Sequence, residues 1–197
     1  MSVSDAGVIQ SSLEDPVRFA VIFDRHVDPI RRFAVSRLGS SRSEDVVSEV
    51  FRIAFEQRDT FNLTSRSARP WLFGIATNLV RREHRSHARS VAALERLGGR
   101  RHITIDPLLD AADRVDARED VLRLRDAVLA LSDDEREILL LVAWDQLTPS
   151  EAALALGWKP ETARTRLRRA RLAVRRHLAG EPISNNDCQE VQTDATR

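Results

Sequence analysis

What this chain has little of narrows its chemistry before any motif is read. It carries one cysteine, Cys188, in 197 residues. No disulfide can close within such a chain, which fits a reducing compartment. No apolar run approaches the roughly 18 residues that span a bilayer. The opening stretch MSVSDAGVIQSS has no basic-then-apolar signal pattern. The expectation is a soluble cytoplasmic protein that uses no membrane. No glycine-rich loop of the phosphate-cradling kind is present, and no nucleophile sits beside a base. The histidines are scattered. His84 and His87 lie three apart beside Glu83, but a zinc site needs three or four converging ligands and no further cluster supplies them. A cofactor-free, non-catalytic protein is expected, and Cys188 reads as an incidental tail residue. Alternating strand patterns and internal repeats are also missing.

Lysine is nearly absent. Lys159 is the one lysine among 31 basic residues. Arginine presents a planar, always-charged fork that suits phosphate and base edges. The formal net charge is only +1, yet the charge is sorted along the chain. RTRLRRARLAVRR, residues 164–176, holds seven arginines and no acid. From Arg81 to Arg101 there are seven arginines against two glutamates. From Asp106 to Asp120 there are six acids and two arginines. The acidic stretch, with Pro107 inside it, reads as a tether between two basic units.

Helical periodicity fills both units. Asp15-Pro16 reads as an N-cap followed by proline at the first helical position. Val17, Ala20, Val21, Val27, Ile30, Phe33, Ala34 and Leu38 then recur at helical spacing up to Gly39. Ser43 reads as the cap of a helix to Arg58. Val46, Val47, Val50, Phe51, Ala54 and Phe55 form its apolar stripe, and Asp45, Ser48, Glu49, Arg52 and Glu56 form its other face. A polar loop, DTFNLTSRSA, precedes RPWLFGIATNLVRREHRSHAR. There Leu72, Ile75, Ala76 and Leu79 share one side, while Gly74, Thr77, Asn78, Arg81, His84 and Arg85 face away. That basic face beside Trp71 and Phe73 is a weak signal for single-stranded nucleic acid, and the two aromatics fit a core somewhat better.

In the second unit, Val121, Leu122, Leu124, Val128, Leu129 and Leu131 suggest an apolar stripe on a helix starting near Asp116. SDDE, residues 132–135, and TPSE, residues 148–151, are capping boxes. Gly157 ends the short helix SEAALAL and Pro160 opens a longer one. Short helix, glycine turn and longer helix make a helix-turn-helix. On a wheel of the last helix, Ala163, Leu167, Ala170, Val174 and Leu178 face the core. Thr162, Thr165, Arg166, Arg168 and Arg169 lie on or beside the outward face, where such proteins meet the DNA major groove. Arg175 and Arg176 suit phosphates.

Three segments, SEDVVSEVFRIAF, ARPWLFGIATNLVRREHR and LSDDEREILLLVAWDQLTPSEAALALGWKPETARTRLRRARLAVRRHL, together resemble a bacterial sigma factor. The type is the extracytoplasmic-function group of the sigma-70 family, and the likeness covers about residues 16–180. It implies an all-α protein of two small helical domains, sigma-2 and sigma-4, joined by a flexible linker. On that basis residues 1–14 form a disordered N-terminus, 15–90 sigma-2, 91–115 the linker, 116–179 sigma-4 and 180–197 a disordered tail. The resemblance implies that Asp45, Ser48, Glu49 and Arg52 contact core RNA polymerase. It implies that Asn62 in the polar loop, with Trp71, Asn78, Arg81, His84 and Arg85, reads a melted −10 element. The helix from Pro160 would read duplex −35 DNA. Promoter DNA, core polymerase and an anti-sigma factor are the implied partners. Lys159 stands where the family often has a serine or threonine cap. The rival reading, a helix-turn-helix regulator binding operator DNA alone, explains residues 119–180 but not SEDVVSEVF or NLVRREHR.

Overall fold

Local signals in the first unit produce the helices they suggest, and one further helix forms ahead of them. The computed structural model describes residues 3–96 and 118–180. Helix α1 spans Asp5–Glu14 and is capped by Ser4, whose Oγ accepts from the Gly7 amide at 3.2 Å. This segment was expected to be structureless. It folds because Val8 and Ile9 are buried and because Asp5, itself buried, accepts four hydrogen bonds. A 3-10 turn, Pro16–Phe19, leads into α2, Ala20–Leu38. Asp15 does not cap by its side chain; its carboxylate pairs with Arg18 at 3.1 Å instead. Val17 and Val21, expected in the apolar stripe, are exposed.

Helix α3 spans Ser40–Glu56 and begins directly after Gly39, at φ 74°. Ser43 is therefore not its cap. It lies inside the helix, fully buried, donating to the Ser40 carbonyl at 3.0 Å. A 3-10 turn, Arg58–Thr60, precedes the loop to α4, Arg69–Arg96, which runs past the expected domain boundary at 90. Phe33 of α2 meets Phe73 of α4 edge-on, with centroids 5.2 Å apart. Ile22, Ile30, Val50 and Leu72 are also fully buried in this unit, and taking such side chains out of water is what stabilises it.

The second unit contains α5 (Arg118–Leu129), α6 (Asp133–Ala143), α7 (Pro149–Leu156) and α8 (Pro160–Leu178). The expected start near Asp116 lies outside the described residues. Leu122 and Leu124, read as part of a buried stripe, are 41% and 46% exposed; Ala127 and Leu131 are buried instead. Helix α5 packs on α8, and its inward face is narrower than the run of leucines implies. Both capping boxes form. Ile138 and Leu141 of α6, Ala152 and Ala153 of α7, and Ala163, Leu167 and Ala170 of α8 are buried, whereas Leu178 is 43% exposed. Among the described residues there is no strand, and no described helix is long and apolar enough to cross a membrane. Residues 97–117 and 181–197, which include most of the acidic stretch, His102 and Cys188, lie outside the described residues.

The two units touch. Helix α4 packs directly against α7, and one continuous cluster of buried apolar side chains runs from Val8 to Leu167.

Candidate nucleic-acid and polymerase interfaces

The helix-turn-helix is built by its ends. The Thr148 Oγ1 accepts from the Glu151 amide at 3.2 Å, and the Glu151 carboxylate accepts from the Thr148 amide at 2.8 Å. These reciprocal bonds start α7 at one residue. Gly157 ends it at φ 68°, ψ 29°, a left-handed geometry that costs a side-chain-bearing residue about 1–2 kcal/mol. The Trp158 amide then donates to the Ala153 carbonyl at 2.9 Å. Helix α8 begins at Pro160 behind Lys159, which supplies no side-chain cap. Proline at the first position tolerates this, since its missing N–H leaves one orphan donor fewer.

The buried Ala163–Leu167–Ala170 stripe sets which side of α8 faces outward. Thr165 and Arg168 are exposed; Thr162, Arg166 and Arg169 are partly exposed. Arg166 is held within its own unit. Its Nη1 lies 2.9 Å from the Asp134 carboxylate, and its guanidinium sits 4.3 Å above the Trp158 ring. Neither Arg168 nor Arg169 forms an ion pair with a described residue, so these two present uncompensated charge.

On the first unit, Asn62 closes a tight loop. Its Oδ1 accepts from the Thr64 amide at 3.0 Å and from the Thr64 hydroxyl at 2.8 Å. Trp71 is half-buried, with its ring 5.1 Å from that of Phe61, while Phe73 is a core residue. Asn78, His84 and Arg85 are exposed. Arg81 is only partly exposed and donates through Nε and Nη2 to one Glu137 oxygen of α6, at 2.9 and 2.6 Å. Thr77, read as part of the outward polar face, is buried with no partner for its hydroxyl. Asn62, Trp71 and Asn78 line a cleft of about 430 Å³ whose opposite wall is Leu154–Gly157 of the second unit.

On α3, Asp45 and Ser48 are exposed. Arg52 grips both oxygens of Glu49 at 2.7 Å and reaches Glu56 at 2.5 Å. Hydrogen bonding from Arg52 holds the Glu49 carboxyl below its ordinary value, and the same pair raises the Arg52 guanidinium. Both are solvent-facing, so the triad fixes geometry more than it stabilises.

Periodicity did not point to Arg37, Arg69, Glu137 or Asp145. Asp145 is buried just after α6. Arg37 of α2 reaches its carboxylate at 2.8 Å, and Arg69 donates to its carbonyl. Burial pushes the Asp145 and Glu137 carboxyls above their ordinary values, and the arginines beside them offset only part of that. A charged residue just beyond a helix end is ordinarily solvated, so nothing local in the sequence marked Asp145.

Comparison with known proteins matches both halves. Residues 22–90 match the family model for Sigma-70 region 2, and residues 122–174 match that for Sigma-70, region 4. The ECF RNA polymerase sigma factor SigL of Mycobacterium tuberculosis is 28% identical over 174 residues, covering 88% of this chain and 93% of that protein. The ECF RNA polymerase sigma factor SigW of Bacillus subtilis is 30% identical over 171 residues, covering 83% and 90%. Among solved structures, CnrH in complex with the cytosolic domain of CnrY has a TM-score of 0.61 at 23% identity, covering 90% of this chain and 99% of that one. The sigma factor RpoE in complex with the anti-sigma factor NepR from Bartonella quintana has a TM-score of 0.58 at 22% identity, covering 83% and 98%.

Proposed function

This chain belongs to the sigma-70 family of RNA polymerase sigma factors, in its extracytoplasmic-function group, and from that premise we propose how its two units divide the work. As a sigma factor it binds core RNA polymerase and directs initiation at promoters. The operator-binding regulator is not favoured, because region 2 matches residues 22–90, a stretch that reading leaves without a role.

The α8 helix reads duplex −35 DNA. Thr162, Thr165 and Arg168 meet base edges near its start, Arg169 pairs with a base or phosphate, and Arg166 is oriented by Asp134 and Trp158. The observation that carries this reading is the capped α7, the left-handed Gly157 and the arginine-bearing outer side of α8 with its two uncompensated guanidiniums. The loop with Asn62 and the α4 face with Trp71, Asn78, Arg81, His84 and Arg85 take the melted −10 strand. Stacking on an aromatic and phosphate attraction by arginine together bind single strands, and they offset the few kcal/mol needed to unstack a base. Asp45, Ser48, Glu49 and Arg52 on α3 dock on polymerase. The protein acts in the cytoplasm, is non-catalytic, and is restrained by an anti-sigma factor.

The test is run-off transcription with purified core enzyme across promoters of the source genome. A promoter-specific transcript is expected, and it is lost when Arg168→Ala and Arg169→Ala are combined. If no promoter yields a transcript, the function is wrong; if the double variant transcribes normally, the α8 assignment is wrong.

A further inference from the structure

Helix α1, which the sequence did not announce, lies against both ends of the loop that carries Asn62. We propose that α1 braces this loop and that Asp5 is a positioning residue for −10 reading. It sets where Asn62 stands relative to Trp71 and Asn78 without touching DNA itself. The inference rests on the assignment of that loop to the melted strand.

The far end of the loop is held by the first residue of α1. One Asp5 oxygen accepts from the Ala68 amide at 2.9 Å and from the Ser67 hydroxyl at 3.3 Å. Ala68 is fully buried, and its carbonyl accepts from the Leu72 amide at 3.0 Å, the first bond of α4. The Ala68 amide is thus a donor that the start of a helix leaves without an intrahelical partner. A carboxylate is the favoured acceptor there. Ser67 extends the tie, because its Oγ also accepts from the Arg69 amide at 3.2 Å. Asp5 is itself fixed to α2 by Arg25 at 2.9 Å and His26 at 2.7 Å. One side chain therefore pins the point where the loop becomes α4 to the body of the unit.

The near end is held by the last turn of α1. The Ser12 carbonyl lies in that turn, and Pro16, four residues on, has no N–H to give it. Arg58, where the loop begins, donates from Nε to this carbonyl at 3.4 Å and from Nη1 to the Phe55 carbonyl at 2.5 Å. Its guanidinium lies 4.0 Å from the Phe55 ring centre. Asp5 and Ser12 stand on the order of 10 Å apart along α1, so one helix sets the separation of the loop's two ends. Between those ends Phe61 is buried, while Asn62, Leu63, Thr64 and Arg66 are exposed. Asn62 and Ser65 line the same cleft as Trp71 and Asn78 of α4. A loop fixed at both ends has little conformational freedom left to lose on meeting a strand.

The test uses holoenzyme reconstituted from core polymerase and the full chain. The probe is a fluorescent non-template oligonucleotide carrying the −10 element of a promoter found by run-off transcription. Asp5→Ala is expected to weaken oligonucleotide binding at least about threefold, low in the range that coupled contacts span. Affinities for core polymerase and for a −35 duplex stay unchanged. Asn62→Ala is also expected to weaken oligonucleotide binding, and the double variant to bind as Asn62→Ala alone does, because Asp5 acts through the loop. An Asp5 that only stabilised the fold would give another pattern: its loss would lower all three affinities together, or add to that of Asn62→Ala. Circular dichroism verifies folding. If Asp5→Ala is unfolded, Asp5→Asn replaces it, since an amide turns an NH2 toward a donor that the carboxylate satisfies. Unchanged oligonucleotide affinity in the Asp5 variant, equal losses for all three ligands, or losses that add to those of Asn62→Ala each overturn the proposal. Normal binding by Asn62→Ala overturns the loop's assignment to the −10 strand instead.

Discussion

Asp5 ties the start of the chain to the rest of its unit. One carboxylate oxygen accepts from Arg25 at 2.9 Å; the other accepts from His26 at 2.7 Å, from the Ala68 amide at 2.9 Å and from Ser67 at 3.3 Å. Burial alone would raise its pKa, but the bonds from His26, Ala68 and Arg25 outweigh burial and hold it well below the usual carboxylate range. A carboxyl with a depressed folded-state pKa contributes stability that is present above its unfolded value and is lost as pH falls through the folded one. The wild type should therefore lose stability steadily below about pH 4. Asp5→Asn should be less stable at neutral pH and show a shallower acid dependence. Chemical denaturation at several pH values measures both, and parallel curves would refute the role. None of these partners is near Asp5 in sequence, since Arg25 and Ala68 lie 20 and 63 residues away. Composition therefore suggested a loose terminus where a buried anchor exists.

At the scale of elements, end signals were more legible than faces. TPSE forms the reciprocal bonds its spacing suggests, and in SDDE the Glu135 carboxylate accepts from both the Ser132 amide and its hydroxyl, because a capping box needs only residues three apart. Gly157 ends α7 in the left-handed geometry that glycine adopts without penalty. Nothing lies within 4 Å of a Cβ placed there, so Gly157→Ala carries backbone strain without a clash. It should cost about 1–2 kcal/mol and misplace α8 relative to α7, weakening −35 binding more than −10 binding. Thermal melts and separate duplex and single-strand titrations measure this, and equal losses at both sites would argue against it. Faces were harder to read. Leu122 and Leu124 match a helical stripe, yet α5 turns Ala127 inward, because the partner surface on α8 decides which part of a wide stripe is used. Ser43 had the composition of a cap but became an interior residue once Gly39 turned the chain four residues earlier.

Across the whole molecule, one cluster of buried apolar side chains spans both units. A shared core couples the unfolding of its parts. Calorimetry of the wild type should thus show one transition; two transitions would mean the units are thermally independent. The sequence alone was enough for an all-helical chain with two basic units, a helix-turn-helix and an arginine-bearing reader helix. Those properties follow from periodicity, caps and charge runs, which act over a few residues. Tertiary structure decided which arginines are committed. Arg81 and Arg168 look alike in sequence, but Arg81 is met by Glu137, 56 residues away, while Arg168 meets no described carboxylate. Likewise Gly74 and Thr77, outward by the wheel, are inward in the molecule because α7 or the core reaches them. A helical wheel distinguishes two sides of one helix; only the packing of a second unit on the outer side determines whether that side meets water, protein or DNA.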